Sequence, residues 1–178
     1  VAIGLGLYLA ERNKGLFHNQ LITFSGDPSI HTLRSKKLRD RILEISKMDW
    51  GVNTDIEAVF ELILKSATRA GLPASEMPET VLILSDMQFD QCGVNGDYTA
   101  LKMMDRMYAE AGYARPQLVF WNLRHAGNAP VRFKEGGTAL VSGFSPSIMT
   151  KVLDGSDLDP LTVVLKTLDN ERYDRVTV

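Results

Sequence analysis

The chain has 178 residues, a length that one domain accounts for, and at 44% apolar it can bury a sizeable core. A net charge of −2 and a pI near 5.9 leave no general electrostatic footprint for DNA or RNA. The single cysteine, Cys92, excludes a disulfide framework and a CxxC metal knuckle and sets a cytoplasmic, intracellular expectation; no apolar stretch reaches the roughly 18 residues of a membrane span.

The chain opens with VAIGLGLYLAERNKG, an apolar block followed by charges. No basic segment precedes the block and no small-x-small exit follows it, so it reads as a mostly buried helix stopped at Gly15 and not as a signal peptide. A domain that begins inside a buried helix without an initiator Met is expected to be cut from something longer. The expectation is one domain over residues 1–178, incomplete at its N-terminus.

Leu21, Ile22 and Phe24 predict a short strand that stops at Ser25-Gly26-Asp27-Pro28. Residues 34–49 place Leu38, Ile42, Leu43 and Ile45 at helical spacing behind a cluster of Arg and Lys. A solvated face explains those cations; a phosphate contact would want an aromatic platform, and none accompanies them. Residues 55–70 form the strongest predicted helix, with Ile56, Val59, Phe60, Ile63 and Leu64 inward and Gly71 as its stop. TVLILSD is a continuous apolar run, as in a buried parallel strand. DYTALKMMDRMYAEAG reads as a helix whose Met103, Met104 and Met107 fill core space. PQLVFWNLRH and GGTALVSGFS are strands, SPSIMTKVLDG and PLTVVLKTLDN are helices, and YDRVTV closes the domain as an edge segment.

Strands and helices thus alternate, which predicts an α/β fold with a doubly wound, mostly parallel sheet and helices on both faces. Such a fold presents its site at the carboxyl ends of its strands. Here those ends are Ser25 to Asp27, Ser85 to Asp90, Asn122 to His125 and Ser142 to Ser147, rich in oxygen and poor in nitrogen and sulfur.

Asp86 ends the central-looking strand, and Thr54 opens the strongest helix. A carboxylate with neutral hydroxyls suits a hard cation: Mg2+ first, with Mn2+ and Ca2+ as the other candidates. Zinc is disfavoured, because His18, His31 and His125 are scattered and read as surface or hydrogen-bonding residues. Each metal candidate also has a plain reading. TDIE is a capping box in which Thr54 caps the helix and Glu57 reciprocates, unless Asn53 is the cap; Asp86 can simply start a turn. GxxxxGK[ST], GxGxxG and GxSxG are all absent. Asp86 as a nucleophile stays open, although no lysine or general acid follows it at a diagnostic spacing and Asp90 has no assigned role.

Taken together, VAIGLGLYLAE, LITFSGDP, GVNTDIEAVFELIL, TVLILSDMQFD, QLVFWNLR and GGTALVSGFSP resemble a von Willebrand factor type A (vWA) domain. The closer similarity is to the C-terminal A-like domain of DUF2828-type proteins, and more distantly to the A domain of Ro/TROVE RNA-binding proteins. The resemblance implies a metal-ion-dependent adhesion site (MIDAS) with Thr54 and Asp86 as metal ligands, gripping an acidic residue on a protein partner. The first part of that site, DxSxS on the first central strand, is absent and would lie before Val1, so this chain alone is expected to bind metal weakly or not at all. The leading expectation is a non-enzymatic protein-interaction module of a larger intracellular protein, with no membrane association. The alternatives are a magnesium-dependent phosphoryl hydrolase using Asp86, and a Ro-like RNA-associated module in a ribonucleoprotein context using the basic helix around Arg39 and Arg41.

Overall fold

Helix α1, Ala2–Arg12, buries one stripe formed by Gly6, Leu7 and Ala10. The glycine matters: a Cβ at position 6 would stand 3.3 Å from Leu21 Cδ2, so α1 lies tight against the following strand. The helix ends before Gly15, which at φ +61° opens a single 3-10 turn, Gly15–Phe17. The computed structural model describes residues 2–23, 27–48, 50, 55–85, 98–123, 138–143, 165 and 169.

Strand β1, Gln20–Thr23, occupies the expected position but turns back into an antiparallel partner, β2, Ser29–Thr32. The sequence reading has no strand at SIHT, because one apolar residue, Ile30, gives no alternation to detect. Helix α2 is Leu38–Ser46, shorter at both ends than the predicted 34–49.

Helix α3, Ile56–Ala70, is the best organised element. Its N-cap is Asp55, whose Oδ1 accepts from the Ala58 amide at 2.9 Å. The cap is thus Asp55, where the sequence suggested Thr54 or Asn53. Gly71 ends the helix in the left-handed region at φ 60°, and the Leu72 amide reaches back to Ala67 O at 3.0 Å, so the expected glycine stop is present. Val59, Phe60, Ile63 and Ala67 face the core. Burying Val59, Phe60 or Ile63 contributes at most about 1.5–3 kcal/mol per side chain.

The second sheet is parallel, in the order β3-β4-β5: Thr80–Ser85, Gln117–Asn122 and Thr138–Ser142. Helix α4, Tyr98–Glu110, lies between β3 and β4 in the chain and touches α3. Phe60, Ile63, Ile83, Met104, Tyr108, Leu118 and Phe120 share one core. Tyr108 donates to Phe60 O at 2.8 Å and meets the Phe60 ring edge-on. Of the methionines expected inside, Met104 is buried and Met103 is exposed, since neighbouring helix positions point about 100° apart. Strand β4 is buried from Leu118 to Asn122, as its continuous apolar run implies for a central strand. A smaller core joins Leu7 and Ala10 of α1 to Leu33 and Ile45.

The chain is therefore α/β with one parallel and one antiparallel sheet among the described residues. The predicted helices at 145–155 and 160–170 and the closing strand fall outside them, apart from a helical bond from the Asp169 amide to Leu165 O.

Candidate functional site

The carboxyl edge of the parallel sheet is partly as expected. Ser85, Asn122 and Ser142 end β3, β4 and β5 and pair in register, so the three positions lie on one face. Two residues earlier on β3 and β4, Ile83 and Phe120 belong to the core shared with α3 and α4. Past Ser142 the chain folds over β4: the Gly143 amide donates to Asn122 O at 3.2 Å, and Trp121 Nε1 donates to Gly143 O at 2.9 Å. That hook needs glycine, whose φ is +103°.

The metal candidates Thr54 and Asp86, the second carboxylate Asp90 and His125 all lie outside the described residues. Among the described residues no group of three or more His, Cys, Asp or Glu could hold a metal ion. His18 and His31 are hydrogen-bonding residues, as expected. His31 Nε2 lies 3.0 Å from Ser29 Oγ and 3.3 Å from Thr23 Oγ1.

A second region, around α2, was not legible as a site. Arg41 comes from the predicted basic cluster, yet it is 9% exposed and turned inward. Its guanidinium spreads over three partners: Glu11 Oε1 of α1 at 2.5 Å, Asn19 Oδ1 at 3.1 Å and Ser35 O at 2.6 Å. Asn19 is held for this task. Its φ of 57° is left-handed, its amide donates to Ala10 O, and its side-chain amide donates to His18 Nε2 at 2.8 Å. His18 Nδ1 then donates to Asn13 O at 2.6 Å, which fixes the tautomer. Glu44 also faces the junction, accepting from the Ser35 hydroxyl and from the backbone amides of Arg34 and Ser35 at 3.1 Å each. The Ser35 hydroxyl holds the Glu44 carboxyl below its ordinary value; the two amides and Arg41 act in the same direction, and burial opposes them.

Helix α2 is thus docked by a buried arginine and by Ile45, which has a consequence on its other side. Leu38, Ile42 and Ile45 form a regular i, i+4, i+7 stripe, as the sequence predicts. The body covers only its C-terminal end. Ile45 is 1% exposed, whereas Leu38 is 63% and Ile42 is 42% exposed. Leu43 at 48% and Trp50 at 53% add to the exposed apolar surface. Lys36, Lys37, Arg39 and Lys47 are exposed around it; among the described residues none of them forms an ion pair. The available sequence signal was the width of the pattern. Leu43 lies about 100° round from Ile42 and cannot share one buried face with Ile45.

The basic helix therefore does not offer Arg41 to a ligand, and the test of RNA contact through Arg39 and Arg41 reduces to Arg39. Among the described residues no helix is long and apolar enough to cross a membrane.

Over 171 residues the chain is 34% identical to a protein of Acanthamoeba polyphaga mimivirus described as "Uncharacterized protein L728". The match covers 95% of this chain and 30% of that protein, so the chain spans under a third of the relative's length. No solved structure matches. The resemblance to vWA, DUF2828-type and Ro/TROVE domains is corrected by the family that does match, and the MIDAS reading goes with it. That resemblance rested on short segments in a plausible order, without the DxSxS run that gives such a site its specificity. The chain belongs to the family described as "Domain of unknown function (DUF7788)", whose model matches residues 1–175.

Proposed function

We propose that this domain is a protein-interaction module within a longer polypeptide and not an enzyme. The observation that carries the reading is the exposed apolar surface of Leu38, Ile42 and Leu43 on α2, with Trp50 just beyond its end, on a helix docked inward through Arg41 and Ile45. Single exposed apolar residues are ordinary on protein surfaces, but a run of them on one short helix marks a contact surface. The length of the mimivirus relative supports a larger setting. The finer architecture, a doubly wound sheet with helices on both faces, belongs to the same proposal. Its support is the pair of parallel connections, β3 to β4 through α4 and β4 to β5, and the burial of both faces of β4.

The test is lysine cross-linking in an extract, with the linked residues assigned by mass spectrometry and the partner then purified and titrated. The expected result is one polypeptide linked at Lys36, Lys37 or Lys47 that binds the purified domain saturably, and less well after Leu38→Ser or Ile42→Ser. Cross-links scattered over the surface, with no saturable binder among the purified candidates, would refute the proposal.

A further inference from the structure

The α2 surface has a chemistry specific enough to describe its occupant, if the interaction reading above is accepted as the starting point. Viewed down the helix axis, Arg39 falls between two apolar side chains, about 60° from Ile42 and about 40° from Leu43. Both are exposed, and Leu38 extends the Ile42 side by one turn. Glu44 is turned inward onto Ser35 and the Arg34 amide. Asp40 remains the exposed acid of the helix, against Lys36, Lys37, Arg39 and Lys47. A domain whose total charge is −2 thus presents a locally cationic, apolar face.

We propose that this face binds an acidic amphipathic protein segment, with a carboxylate set against Arg39 and apolar side chains on either side, against Ile42 with Leu38 and against Leu43. An anionic lipid surface fits less well. A bilayer takes a contiguous apolar wedge with cations at its margins, and here the arginine stands in the middle of the wedge. A nucleic-acid strand fits less well again. Arg41 is spent inside the fold, and the apolar side chains would gain nothing from phosphate. A protein segment can satisfy both parts, because a guanidinium pairs with a carboxylate in a fixed, two-pronged geometry while its flanks exclude water.

The experiment uses the intact protein and three probes: a fluorescein-labelled helical peptide with leucines at i, i+4 and i+7 flanked by glutamates, the same peptide with lysines for glutamates, and phosphatidylcholine vesicles with or without phosphatidylserine. Oligouridylate serves as the nucleic-acid arm. The acidic peptide is expected to bind saturably by anisotropy, and the lysine peptide at least about tenfold more weakly. Arg39→Glu should reverse that preference, and Ile42→Ser should weaken both peptides, with circular dichroism unchanged because both positions are exposed. Equal affinity for the two peptides, indifference to Arg39→Glu, or binding to phosphatidylserine vesicles or oligouridylate in place of the acidic peptide would overturn the inference. If cross-linking finds a saturable partner at α2 while the acidic peptide fails, the interaction module stands and this account of its ligand falls.

Discussion

Arg39 and Arg41 stand two residues apart in one basic run, yet the structure gives them opposite weights. Removing Arg41 breaks three contacts. The Glu11 pair counts for no more than about 1 kcal/mol, since the Glu11 side chain is 45% exposed and water replaces its partner. The bonds to Ser35 O at 2.6 Å and Asn19 Oδ1 at 3.1 Å are charge-assisted and part-buried, and their loss strands two acceptors at about 1 kcal/mol each or somewhat more. Arg41→Ala should therefore cost about 3 kcal/mol, a large share of the roughly 5–15 kcal/mol that holds a domain together. Arg41→Lys keeps the charge without the fork and should lose about 2 kcal/mol. Arg39→Ala should stay within about 0.5 kcal/mol. Urea unfolding followed by circular dichroism measures all three at unchanged slope. A loss under about 1 kcal/mol for Arg41→Ala, or an equal loss for Arg39→Ala, would show that α2 is not held by this junction.

Other outcomes follow from single contacts. Asp55→Ala removes the N-cap of α3 and should cost about 1 kcal/mol in urea unfolding, with Asp55→Asn recovering most of it. Glu44 has a lowered folded pKa, so its contribution is complete above the unfolded carboxyl value of about 4.3 and is lost as pH falls below it. Glu44→Gln should flatten the fall in unfolding midpoint between neutral and acid pH; an unchanged acid limb would refute that role. Burial pushes the Tyr108 hydroxyl well above its ordinary value, with Arg115 partly offsetting it. Its contribution is therefore present below about pH 10 and is lost as pH rises further. Ultraviolet titration should show an ionisation step above the ordinary tyrosine range, and Tyr108→Phe should remove that late step while costing about 1 kcal/mol through the Phe60 O bond.

What the sequence showed and what it hid divide along contact range. Helix α3 was legible because its apolar spacing, its acidic cap region and Gly71 all act within a few residues of one another. Strands β3 and β4 were legible as continuous apolar runs, and β4, buried on both faces, is the one that needs apolar residues without alternation. SIHT was not legible, because its pairing with β1 supplies what its own composition does not. The cap of α3 went to Asp55 where three adjacent polar residues competed, and nothing short of backbone geometry separates them. The inward turn of Arg41 depends on Glu11 and Asn19, which are 30 and 22 residues away, and no local pattern records that. The metal candidates Thr54 and Asp86 came from a family resemblance built on short segments, and the family match set that resemblance aside.

The sidedness of α2 admits two physical origins. In the first, the Arg41 junction sets the rotation of the helix and the exposure of Leu38, Ile42 and Leu43 is a by-product. In the second, the exposed stripe is the feature being kept, and a polar junction is the means of keeping it outward. An ordinary surface helix would bury Leu38 and Ile42 and gain up to about 1.5–3 kcal/mol for each. This helix forgoes that gain and instead buries a guanidinium, whose desolvation is costly even when paired. The combination Leu38→Ser with Ile42→Ser separates the two origins. A by-product predicts unchanged stability, within about 0.5 kcal/mol, and unchanged partner binding. A retained contact surface predicts the same unchanged stability together with loss of the partner cross-linked at α2. A large fall in stability would contradict both, because it would mean that the two side chains pack inside the isolated domain.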